Sequence, residues 1–188
     1  MRTIATRTIA TSLLLTLAAS GTALAQGAPA AAPQTPAPAG AAQNPPPVPA
    51  ARGPAVDLAL EAAQAALEAA KAGDQKVAVT VIDSAGVLKA VAAGDGTGPR
   101  AVQNSNFKAQ AALAFKADSG ELAEKVKTDK DLAGKIAANP SYLARAGAVL
   151  IKVNGEVIGV IGVGGARGSD KDEQYAKAGL AKIQARLK

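Results

Sequence analysis

The chain contains no cysteine, no histidine and no tryptophan, and its single methionine is the first residue. Each absence removes a chemistry. Without cysteine there is no thiol nucleophile and no disulfide, so the fold must rest on its core. Without histidine there is no imidazole base and no Ser-His-Asp triad. Without either, a zinc site of the usual nitrogen and sulfur ligands is excluded. Aromatics are scarce, at two Phe and two Tyr. The formal charge is +6, from 21 basic and 15 acidic residues among 188. The charges are spread along the chain. A nucleic-acid surface needs a clustered basic stripe, often with stacking aromatics. The basic balance therefore reads as solubility, and no nucleic-acid partner is expected.

What is present divides into three parts. Residues 1–25 have the pattern of a secretory signal: Arg2 and Arg7, a short apolar core from Leu13 to Ala19, and the small-x-small site Ala23-Leu24-Ala25. The apolar run falls short of the roughly 20 residues needed to span a bilayer. The expected product starts at Gln26, has no transmembrane segment and is periplasmic or secreted. Residues 26–54 hold nine of the eleven prolines, mixed with Ala, Gly and Gln, and read as a linker. Residues 55–188 read as one folded domain.

Within that domain the periodicity changes four times. The stretch "DLALEAAQAALEAAKAG" is helical, with Leu60, Ala63, Leu67 and Ala70 on one face, Asp57 as the expected cap and Gly73 as the stop. "KVAVTVIDSAGVLKAVAA" reads as a hairpin turning at Asp83–Gly86. "AVQNSNFKAQAALAFKA" returns to helical spacing, on Phe107, Ala111, Ala114 and Phe115. Asp118 and Glu121 are spaced as a capping box for an amphipathic, lysine-rich segment that ends at Asn139-Pro140. "GAVLIKVNGEVIGVIGV" is a second hairpin, and Asn154-Gly155 favours a type I′ turn. Asp170 and Glu173 open a last helix whose expected buried face is Ala176, Leu180, Ile183 and Leu187. Val157, Ile158, Val160, Ile161 and Val163 are apolar on both faces, so the last strand should be central. Two hairpins and covering helices give an α+β fold with an antiparallel sheet.

The stretch "GVIGVGGARGSDKDE" looks most like a functional loop. It does not fit G-x-G-x-x-G, since the third glycine position is Arg167, and no Lys-Ser or Lys-Thr follows at P-loop spacing. Two readings remain. Gly162, Gly164 and Gly165 can open the backbone to a ligand, with Arg167 ready to pair a carboxylate. Alternatively they only let a helix pack on bare backbone.

Several pieces together resemble one family: "LALEAAQAALEAA", "VAVTVIDSAGVLKAVAAGDG", "FKAQAALAF", "VNGEVIGVIGVGG" and "DEQYAKAGL". In that order they are similar to the GlcG/HbpS-type haem-binding proteins, also found as the PduO C-terminal domain. The resemblance implies a sandwich-like α+β domain, homo-oligomers, and haem or a related tetrapyrrole as ligand. It implies a groove at Asp95-Gly96, Lys108-Ala109, Gly155–Val157, Gly162–Gly165 and Asp172-Glu173. It also shows departures. Ala111 stands where many relatives carry a threonine linked to haem, and Ala93-Gly94 replaces an arginine. With no histidine, iron ligation would fall to Tyr142, Tyr175, a lysine or water. Lys108 or Arg167 would pair the propionates.

The expected function is an exported, non-enzymatic ligand-binding protein, haem being the implied ligand and haem sensing or uptake the implied setting. The alternative is an oligomeric structural or sensory module, lacking haem, that meets a sensor-protein partner. Asp83, Asp95, Lys108 and Asp170 are the polar candidates for an enzyme, but Asp83 and Asp170 have ready roles as turn and cap residues.

Overall fold

The computed structural model describes residues 51–188; the expected signal and nearly all of the linker lie outside the described residues. Helix α1 (Val56–Ala72) leads into strands β1 (Ala78–Asp83) and β2 (Leu88–Ala93). Helices α2 (Pro99–Phe115), α3 (Ser119–Lys125) and α4 (Lys130–Ala137) follow. Strands β3 (Ala148–Val153) and β4 (Glu156–Gly164) precede α5 (Ser169–Ile183), which closes in a 3-10 turn, Gln184–Arg186. The strands form one antiparallel sheet in the order β2-β1-β4-β3. The α+β expectation holds, and the apolar last strand is central, between β1 and β3.

Alternation sorts the sheet residues to two faces. Val79, Val81, Val149, Ile151, Ile161 and Val163 meet α1 and α5 in the main core. Ile82, Ala148, Leu150 and Val160 meet α2 on the other face. The turns are made as the residue types require. Asp83 Oδ1 accepts from the Ala85 and Val87 amides at 2.9 Å each, and Gly86 takes φ 80°. Asn154 and Gly155 have φ of 50° and 84°, the left-handed pair of a type I′ hairpin.

Several helix faces differ from the spacing rule. In α1 the buried residues are Ala59, Ala62, Ala63, Ala66 and Ala70, while Leu60 faces solvent. In α2 they are Ala101, Ser105, Lys108, Ala109, Ala111 and Ala112, and Ala114 is exposed. Alanine faces let helices approach closely, so the small residues go inside and the leucine pattern misleads. In α5, Asp172, Tyr175, Ala176, Gly179 and Ile183 are buried, and Leu180 is only half-buried.

The expected caps also change partners. Asp57 sits in the first turn of α1, and the cap is Ala55. Asp118 caps no amide of α3; its Oδ1 accepts from Leu150 N at 2.9 Å and ties the helix to β3. The lysine-rich segment is two short helices, the second capped by Asp129, which accepts from Leu132 N at 2.9 Å. The cap of α5 is Gly168, without Asp170. The fold also reaches back beyond residue 55. Arg52 and Ser84 exchange two hydrogen bonds, Arg52 N to Ser84 Oγ and Ser84 N to Arg52 O, each 2.9 Å, and Pro54 is buried.

Candidate functional site

The glycines of β4 decide what can stand above the sheet. A Cβ on Gly162 would lie 2.2 Å from Ser105 O, and one on Gly164 would lie 2.8 Å from Ala101 O. Helix α2 therefore rests on the bare backbone of β4. A buried hydroxyl pair, Thr80 Oγ1 to Ser105 Oγ at 2.7 Å, fastens the same helix to β1. Gly162 and Gly164 are covered by α2 and are not walls of a groove. Of the two sequence readings, close helix packing is the one realised at these positions.

Lys108 lies in the same layer. Its Nζ donates to Asp172 Oδ2 at 2.6 Å and to Val163 O at 3.0 Å. Asp172 Oδ1 accepts from Ala166 N at 2.9 Å. Lys108 is 2% exposed and Asp172 3%. Gly147, at φ 135°, makes room, since a Cβ there would lie 2.5 Å from the ammonium. Burial pushes the Lys108 ammonium below its ordinary range and the Asp172 carboxyl above its own, against their mutual attraction. This ion pair joins α2, α5 and the end of β4. Lys108 is committed to it and does not face a ligand. The pairing with Asp172 was not visible in sequence, because the two are 64 positions apart.

The chain opens just beyond, where β4 ends. Gly165 leaves the strand at φ 120°; a Cβ there would meet Lys76 O at 2.6 Å. A cavity of about 590 Å3 lies at this point, lined by the 74–76 loop, the first turns of α2 and residues Gly165 and Arg167. Three cations, Lys76, Arg100 and Arg167, line it together with Asn104 and Asp74. None of the three makes an ion pair among the described residues. Arg167 is positioned through its main chain, whose N–H donates to Gln75 Oε1 at 2.8 Å. A second cavity of about 520 Å3 adjoins it across the same loop, with Leu67, Val77, Ala93, Gly94 and Asp95 in its wall.

The structure thus brings Asp95, Gly165 and Arg167 to one end of the sheet, on either side of Asp74–Lys76. It leaves the others elsewhere. Ala111 is buried against Ala117 and Leu122 under α3. Tyr142 packs edge-on to Phe115, ring centroids 5.8 Å apart, in that same cluster. Tyr175 belongs to the main core, with its hydroxyl beside Gly73. The two tyrosines are in separate clusters and neither lines the groove. Among the described residues no group of three acidic, His or Cys side chains gathers as a metal site. Lys76, Arg100 and Asn104 escaped the sequence reading. A strand entrance and a helix start give them no motif, and only the fold sets them beside Gly165.

Fold and groove together define a small α+β domain with a cationic groove at one end of an antiparallel sheet. The chain belongs to the HbpS-like family: the model for "Haem degrading protein HbpS-like" matches residues 55–181. A crystal structure of HbpS is 34% identical, with TM-score 0.65, over 71% of this chain and 92% of that one. A double mutant of Streptomyces reticuli HbpS is 33% identical, with TM-score 0.64, over 81% and 97%. A PduOC–haem complex shares the fold at 21% identity and TM-score 0.64, over 70% and 95%. No curated protein matches.

Proposed function

We propose that this chain is an exported haem-binding protein that holds its ligand without turning it over. The observation that carries the reading is the trio Lys76, Arg100 and Arg167 around Gly165, none of them in an ion pair among the described residues although Asp74 lines the same cavity. Haem has an apolar ring and two carboxylates on one edge. The adjoining walls of Leu67, Val77 and Ala93 offer apolar contact, and the three cations offer charge-assisted hydrogen bonds. The bound group would supply a redox-active iron. Neither tyrosine lines the groove, so affinity rests on carboxylate pairing and ring burial, and no side chain is assigned to the iron. The described haem complex of PduOC, a relative in fold, supports the ligand class.

The test is a haemin titration of the full chain followed by the Soret band. A saturable shift is expected, retained in Tyr142→Phe and Tyr175→Phe and weakened in the Arg100→Ala/Arg167→Ala double variant. No saturable shift would refute the reading. The family description names degradation. Retention without turnover predicts a Soret band that persists under ascorbate and air; steady bleaching by the protein beyond that of free haemin would make it an enzyme. Export is supported by Arg2, Arg7 and the Ala23–Ala25 site. Sequencing of protein recovered outside the cytoplasm should start at Gln26.

A further inference from the structure

Arg167 stands in a loop that holds itself weakly. Gly165 and Gly168 bound it at φ 120° and 116°. Between them, the amides of Ala166 and Arg167 bond to no main-chain group among the described residues. Each is taken instead by a side chain. Ala166 N donates to Asp172 Oδ1 at 2.9 Å, and Arg167 N donates to Gln75 Oε1 at 2.8 Å. Both acceptors are anchored in turn. Asp172 Oδ2 accepts from Lys108 Nζ, which also donates to Val163 O. The buried pair thus grips the chain on both sides of Gly164-Gly165, at Val163 O and at Ala166 N. Gln75 Nε2 donates to Gly73 O and Asp74 O at 3.1 Å each, and Gln75 N closes on Ala70 O at 2.9 Å. Its amide is therefore fixed to the end of α1.

We infer that Asp172 and Gln75 are positioning residues: they fix the main chain of Arg167 so that its guanidinium is presented to the anionic edge of the ligand. The inference rests on the haem-binding reading of the groove. Asp172 is buried and reaches the groove only through the loop it holds. Gln75 lines the groove, but both ends of its amide are engaged within the protein. A loop with glycine at each end has many conformations, because glycine takes positive and negative φ alike. Ordering such a loop on binding lowers affinity, and holding two successive amides beforehand removes that loss. Lys76 follows Gln75 directly, so the same hydrogen bond also sets the spacing between two of the three cations. The buried ion pair thereby has a task beyond stability. Lys108 keeps the Asp172 carboxylate turned so that Oδ1 meets Ala166 N.

Haemin titration of the full chain reads both arms of this clamp. Gln75→Leu should weaken binding about fivefold, as expected for ordering one long side chain and its loop, with the thermal melt near the parent's. In an Arg167→Ala background the same substitution should change affinity no further. An equal loss in both backgrounds would show that Gln75 acts elsewhere and would overturn its role. For the other arm, Lys108→Met/Asp172→Asn keeps an oxygen for Ala166 N, whereas Lys108→Met/Asp172→Leu does not, and neither carries a buried charge. The Asn form should bind haemin about fivefold more tightly than the Leu form, with the same circular dichroism. Equal affinities would overturn the role of Asp172. Amide hydrogen exchange without haemin tests the clamp apart from the ligand. The Ala166 and Arg167 amides should exchange slowly in the parent, and Arg167 should lose its protection in Gln75→Leu. If the parent binds no haemin, the haem reading fails and exchange still decides the clamp: an Arg167 amide unprotected in the parent would refute it.

Discussion

Lys108 and Asp172 show how little a residue's type says about its task. A lysine on a helix suggests a ligand contact, yet this one is buried and spent on a carboxylate and a carbonyl. Burial opposes both charges, so the pair is a cost that the surrounding hydrogen bonds offset. Lys108→Met or Asp172→Asn alone should lower stability by about 3–5 kcal/mol, since each strands a buried partner. The Lys108→Met/Asp172→Leu double variant should recover most of that loss in chemical denaturation. Additive losses would show that the two do not act as a unit. Gly162 makes the same point in reverse. Its missing side chain is what seats α2, so Gly162→Ala should cost at least the upper end of about 1–3 kcal/mol by overpacking. A thermal melt unchanged by this substitution would contradict the close helix–strand approach.

At the scale of elements, hairpins were easier to read than helix faces. Asn154-Gly155 names its turn because only certain residues tolerate positive φ in succession. Gly155 has φ 84° and no atom near its vacant Cβ position, so Gly155→Ala should cost about 1 kcal/mol from backbone strain alone. Its effect should be confined to stability, measured by denaturant midpoint. Helices α1 and α2 misled because alanine carries a weak hydrophobic signal. A rule that looks for leucine spacing put Leu60 inside and passed over Ala59, Ala62 and Ala66. The close packing that buries those alanines belongs to pairs of elements, and no single helix declares it. The capping boxes failed for a related reason: Asp118 found a better amide on β3 than on its own helix.

At the scale of the whole molecule, the groove and the domain boundary emerge. Lys76 and Arg167 come from two separate connections and Arg100 from the first turn of α2, and they meet only when β1, α2 and β4 share one end of the sheet. Loss of two such cations should reduce haemin affinity about tenfold or more, on charge-assisted hydrogen bonds of roughly 1.5–3 kcal/mol each before solvent screening. Added salt should weaken binding by the parent more than by the Arg100→Ala/Arg167→Ala variant, as titrations at two ionic strengths would show. The boundary is testable in the same way. A chain starting at residue 55 loses both Arg52–Ser84 hydrogen bonds and buried Pro54. It should melt below one starting at residue 51, by an amount matching about 1–3 kcal/mol for two hydrogen bonds. Equal melting temperatures would return residues 52–54 to the linker.

Local chemistry was enough for the sequence to determine both hairpins, the turn glycines, the central apolar strand and the α+β class. Each depends on φ preferences or on a period of two over a few neighbours. Family membership was legible too, because the order of those pieces survives where single residues change. The tertiary structure alone decided that Gly162 and Gly164 seat a helix, that Lys108 belongs to Asp172, and that three distant cations line one groove. Those are contacts between residues dozens of positions apart, and their geometry exists only once the sheet has closed against its helices.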